Sequence, residues 1–243
     1  FIIVATIAAY LGMNDIASAK SSFADQAIIF SRLHNWIMCI LYTGTFGSFI
    51  GYSAGFPLLM KTQFPDVNVL QYAFLGPLVG ALSRAATGWV SDRFGGGRVT
   101  FWTFAGMIVA VFGVLQFLPD GDSTGNFWGF FACFMALFFL TGVGNASTFQ
   151  MIPAIMRQEI PRLMPKLEIA KMQKQIERES AAIIAFTSAI AAYGAFFIPK
   201  SYGTSIAMTG GPAAALWGFL LFYAVCVVIT WVFYSRKNAP VPC

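Results

Sequence analysis

Arg84 stands inside "VGALSRAATGWV", Val79 to Val90, an otherwise uncharged stretch of a chain in which 10% of residues are charged. A guanidinium offers paired N–H donors in a fixed plane, and these match two adjacent oxygens of a carboxylate or another oxyanion. Counting along helices that rise ~1.5 Å per residue brings three more side chains to its level. Arg84 lies eight residues before Asp92, Tyr42 seven after Asn35, Phe149 eight before Arg157 and Ser188 eight after Ser180. Each then sits roughly 12 Å from the same end of its helix. A cation, a phenol, an aromatic wall and a hydroxyl in one layer suit the binding of a small planar anion. A carboxylate would satisfy the same donors. The competing reading is packing: Arg84 snorkelling to the surface or bonding backbone carbonyls, Tyr42 and Ser188 linking helices, and Phe149 filling core as one of 26 phenylalanines.

The elements that must carry these residues are membrane helices. The chain has 243 residues, is 58% hydrophobic and has a mean hydropathy of +0.70, outside the range of a soluble domain. Six apolar stretches long enough to cross a bilayer are predicted, at about Asn35–Leu59, Leu70–Ser91, Val99–Leu118, Phe127–Met156, Ser180–Pro199 and Pro212–Tyr234. The fold class is all-α and polytopic. "FIIVATIAAYLGM", residues 1–13, is too short to span and lacks the basic start of a signal peptide, so it reads as the end of a preceding transmembrane helix in a longer protein. Residues 14–34 read as a connector, 35–234 as the membrane domain and 235–243 as a tail. Arg157 to Glu179 mixes basic and acidic residues around Ile160, Leu163, Leu167 and Ile176, which predicts a surface helix over about 158–179.

Charge placement sets the orientation. Lys20, Arg32, Arg93, Arg98, the run from Arg157 to Arg178, Arg236 and Lys237 fall on one side, whereas Lys61 and Lys200 fall on the other. The positive-inside rule makes the first side cytoplasmic, so the net charge of +5 reflects topology and not a nucleic-acid partner. Arg84 remains within a span, at a cost on the order of 3 kcal/mol. None of the ten acidic residues falls inside a span except at its ends. The charge is therefore hydrated, paired outside this chain, or kept for an anion that comes and goes. The same lack of an intramembrane carboxylate leaves anion exchange, or a proton site elsewhere, as the means of coupling.

Small residues mark helix contacts. Gly47, Gly51 and Gly55 repeat at four-residue steps in the first span, and Gly76, Gly80 and Gly88 do so in the second with Arg84 completing the series. The four cysteines, Cys39, Cys133, Cys226 and Cys243, show no paired spacing, and the single histidine, His34, sits at a helix entrance as an interfacial residue. No metal site or cofactor is expected. The glycines Gly95 to Gly97 lack the Lys-Ser/Thr of a phosphate loop, and no nucleophile, histidine and acid can be assembled, so an enzyme is not indicated.

"SDRFGGGR", Ser91 to Arg98, resembles the cytoplasmic loop of the major facilitator superfamily. Together with "TFGSFIGYSAGF", "KTQFPDV", "QYAFLGPLVGALSR", "GNASTFQMIP" and "FFIPK", it makes the chain similar to bacterial nitrate/nitrite porters of the NarK/NarU type, over essentially its whole length. The resemblance implies the carboxyl-terminal six-helix half of a twelve-helix carrier. It also implies nitrate/nitrite exchange by alternating access across the bacterial inner membrane, an amino-terminal half as partner, and a monomeric full-length transporter with a cytoplasmic carboxyl terminus. It casts Arg84 as the anion-binding arginine of this half, Tyr42 as a hydrogen-bond donor and Phe149 as one of two rings enclosing the ion; Ser188 stays a candidate by depth alone. One stretch departs. "AFTSAIAAYGAFFIP", Ala185 to Pro199, keeps only Gly194 where the family has a glycine-rich signature. The rival classes are a passive anion pore with Arg84 as its selectivity residue, and a noncatalytic subunit that anchors a partner enzyme.

Overall fold

The computed structural model describes residues 2–13, 26–119 and 124–243. Among these residues every regular element is helical. Helix α1 (Ile2–Gly12) buries none of its residues. Most of the expected connector, residues 14–25, lies outside the described residues. A 3-10 turn, Ala27–Ser31, leads into α2 (Leu33–Gln63), which is α-helical except for a π turn at Thr43–Gly47. After the short α3 (Val69–Tyr72) come α4 (Leu75–Phe94), α5 (Gly96–Phe117) and α6 (Phe127–Leu163). Then follow α7 (Ile169–Ala192), α8 (Gly194–Thr209) and α9 (Ala213–Ser235).

Local chemistry sets the ends. Asn126 caps α6 by accepting from the backbone N–H groups of Trp128 and Gly129, and Asn68 does the same for Leu70 at α3. Gly95 has φ +89°, open to glycine and strained for other residues, and there the chain turns from α4 directly into α5.

Two expectations about the helices are corrected. By length and composition alone five helices can cross a membrane, and α4, with Arg84, Asp92 and Arg93 in its twenty residues, is less apolar yet packs along α6 where the second span was expected. The surface helix over 158–179 does not form. Arg157 to Leu163 prolongs α6, and Ile169 to Glu179 is the start of α7, so the charged residues ride on the ends of two membrane helices. The fifth span does not stop at Pro199 but resumes as α8 to Thr209, leaving a turn of only a few residues where Lys200–Gly211 was expected. Pro199 itself lies within α8, and the interruption falls at Tyr193, just before Gly194.

Glycine contacts hold the bundle. Gly47, Gly51 and Gly55 line the face of α2 that meets α7 and α8: Gly51 faces Ile198 and Gly55 faces the ring of Tyr202. On α4, Gly76 and Gly80 press on Phe138 and Phe49, but Gly88 faces open space and Arg84 is exposed. Four-residue steps advance about 400° and drift about 40° each. The stripe therefore winds toward the edge of the α6 contact by the time it reaches Arg84, and past it at Gly88. Toward the far end of α2, Phe56 gathers Phe130, Phe134 and Phe138 of α6 into an aromatic core.

The basic end is closed by polar contacts. Arg32 makes two hydrogen bonds of 2.8 Å to both carboxylate oxygens of Glu179, joining the entrance of α2 to α7, with Glu179 1% exposed. His34, at the entrance of α2, is buried, and its Nδ1 shares a 2.8 Å hydrogen bond with the Tyr234 hydroxyl. Beyond α9 the tail folds back. The backbone N–H of Gly97 donates to the Cys243 carbonyl at 2.7 Å, the Gln158 amide to the Pro242 carbonyl at 2.7 Å, and Arg162 to the Pro240 carbonyl at 2.8 Å.

Candidate anion site

Tyr42 is the last residue of α2 before its π turn, and its side chain is buried. The turn is crowded: a Cβ on Gly44 would lie 2.7 Å from the Phe104 ring, and one on Gly47 would lie 2.9 Å from the Ala191 carbonyl oxygen. Glycines let α2 pass through this gap, and the stretched turn that results fixes where the phenol points. Phe46 stacks on Tyr42 with ring centroids 5.2 Å apart and planes 25° from parallel.

Arg84 projects from the middle of α4 at the edge of its contact with α6. Its Cζ lies 5.9 Å from the centroid of the Phe149 ring, on α6, which is 39% exposed. Such a contact stabilises by about 0.5–2 kcal/mol and leaves the edge of the guanidinium free to donate. Among the described residues no carboxylate pairs with Arg84. The nearest acid along α4, Asp92, instead accepts a hydrogen bond from the side chain of Gln150.

Ser188 completes the layer from α7. Its hydroxyl donates to the Ile184 carbonyl at 2.6 Å. The structure brings Phe149 directly against Arg84 and stacks Phe46 on Tyr42, while Ser188 is held by its own helix. Phe46 was missed. Its signal was its place one turn after Tyr42, which twenty-six phenylalanines obscured. A second pair, Thr45 on α2 and Thr148 on α6, shares a 3.0 Å hydrogen bond beside the layer.

What this arrangement can do is bind. It presents an exposed cation and a partly exposed aromatic ring that no described helix covers, with the Tyr42 phenol buried nearby on α2. No family model matches the chain. It is 51% identical to the nitrate/nitrite transporter NarU of Escherichia coli over 238 residues, 97% of the chain and 51% of that protein. In sequence, the chain matches nitrate/nitrite porters. The NarU of Salmonella typhimurium is likewise 51% identical over 239 residues, covering 97% of the chain and 51% of that protein. The probable nitrate/nitrite antiporter NarK2 of Thermus thermophilus is 35% identical over 249 residues, 100% of the chain and 51% of its own length. The chain spans about half the length of the curated relatives it matches. The resemblance read from "SDRFGGGR" and its companion stretches is thereby borne out, and the described residues have the all-α architecture expected of it.

Proposed function

We propose that the chain is the carboxyl-terminal half of a carrier that exchanges nitrate for nitrite across the bacterial inner membrane. Its partner is an amino-terminal six-helix half, and the full-length transporter is a monomer with a cytoplasmic carboxyl terminus. The observation that carries this reading is Arg84: a cation midway along α4, unpaired by any described carboxylate, backed by Phe149 and open toward the uncovered face. The names of the relatives support nitrate and nitrite as the ions.

Arg84 binds two oxygens of the ion through paired N–H donors, Phe149 and Phe46 line the site with rings, and Tyr42 offers its phenol, with Ser188 a further candidate once it turns from the Ile184 carbonyl. The unpaired cation also supplies a reason for exchange. Closing the two halves over an empty site would strand a desolvated guanidinium, at a cost of several kcal/mol. A bound anion removes that cost, so the halves rock between their two orientations when loaded and stall when empty. Net movement of one ion then requires return of another.

The test is uptake of labelled nitrate by the intact carrier in liposomes, with the lumen either empty or loaded with nitrite. Entry that depends on internal nitrite supports exchange. Equal entry into empty vesicles overturns it.

A further inference from the structure

Asn145 is 1% exposed, and both polar atoms of its amide are buried without a hydrogen-bond partner among the described residues. Inside a membrane bundle such a group is costly unless something meets it during function. Asn35 shares this condition, but it lies at the basic end of α2, seven residues before Tyr42. Asn145 lies beside the anion layer, one helical turn before Phe149 on α6.

Its direction follows from its neighbours. Thr148 faces α2 through its bond to Thr45. Gly142 faces α4, where a Cβ would lie 3.0 Å from the backbone nitrogen of Arg84. With about 100° of turn per residue, Asn145 falls between these two directions. It therefore points toward the wedge between the helix of Tyr42 and the helix of Arg84. The π turn of α2 packs against α6 and α7 there, so the buried amide sits behind the turn that follows Tyr42.

The layer is short of N–H donors. The guanidinium supplies a planar pair for two oxygens of an anion, and the Ser188 hydroxyl is already donated to the Ile184 carbonyl. A trigonal ion has a third oxygen that needs an N–H, whereas a bent two-oxygen ion has none. We propose that Asn145 sets the selectivity of this site, donating its amide N–H to the third oxygen that nitrate has and nitrite lacks. This rests on the reading of Arg84 as the anion-binding residue.

The test measures nitrate and nitrite dissociation constants on the intact carrier in detergent, by ligand-induced thermal shift. Asn145→Leu keeps the volume and removes the donor, and Asn145→Ser keeps a donor on a shorter arm. Leucine is expected to weaken nitrate about tenfold or more and nitrite by less than about twofold, with serine between. Equal weakening of both ions, or of neither, overturns the proposal; a purely structural amide predicts one of those results. If the leucine variant does not fold, serine alone decides: a lower nitrate-to-nitrite selectivity supports the proposal and an unchanged one overturns it. Arg84→Lys separates the two readings. Loss of both ions there leaves the site standing while Asn145 is judged alone, and normal binding of both removes the site and this proposal together.

Discussion

Gly47 and Gly194 meet backbone to backbone: a Cβ placed on Gly194 would lie 2.2 Å from the Gly47 carbonyl oxygen. This contact brings α2 against the junction of α7 and α8, close to the turn that orients Tyr42. Neither partner can yield, because the obstructing atom is main chain. Gly194→Ala is therefore expected to destabilise the bundle by about 1–3 kcal/mol. The melting temperature in detergent checks this, and a value equal to wild type would show that the helices separate freely here.

Arg84→Lys tests the donors and not the charge. Lysine keeps a cation but loses the planar pair of N–H groups and the flat contact with Phe149. Nitrate uptake should fall by about tenfold or more while expression and melting temperature stay near wild type. Wild-type uptake would remove Arg84 from the site.

The Arg32–Glu179 pair should be far more costly to halve than to delete. Both residues are at least nine-tenths buried, so Arg32→Leu or Glu179→Leu alone leaves a buried charge and is expected to cost about 3–5 kcal/mol. The double leucine variant should recover most of that loss. A double-mutant cycle in detergent decides the matter, and additive losses would mean that the pair contributes little beyond its separate contacts.

Cys243 reports on the tail. Burial pushes its thiol up to about 12. Thiolate is the reactive form, so at neutral pH roughly a thousandfold less of it is present than for an unburied cysteine. Maleimide labelling of Cys243 should be slow in the folded protein, rise steeply with pH, and accelerate in Arg162→Ala, which loses the bond to the Pro240 carbonyl. Equal labelling rates in the two proteins would mean that the tail is not held by that bond.

Much of the site was legible because depth along a helix is a linear count. Arg84, Tyr42, Phe149 and Ser188 could be brought to one level from residue spacing alone. Rotation about each helix was less accessible. The glycine stripe of α4 was read as one face, but an accumulated drift of about 40° per step separates Gly76 from Gly88. Helix ends were obscured where polarity did not coincide with a break. Arg157 to Leu163 and Ile169 to Glu179 look like one amphipathic surface element, yet charged residues extend two membrane helices beyond the apolar layer. Asn145 was hidden for a different reason. An asparagine within "GNASTFQ" is unremarkable until its amide is seen to lack a partner, and that is a property of three packed helices.

The folded-back tail has a consequence in time. The N–H of Gly97, the amide of Gln158 and the guanidinium of Arg162 belong to elements synthesised well before Pro240 to Cys243, yet they find acceptors on those residues. Until then water must serve the exposed donors, and the burial of Val241, 3% exposed once seated, is deferred. Packing of this end of the bundle is therefore completed in order of synthesis, α5 and α6 first and residues 240–243 upon them.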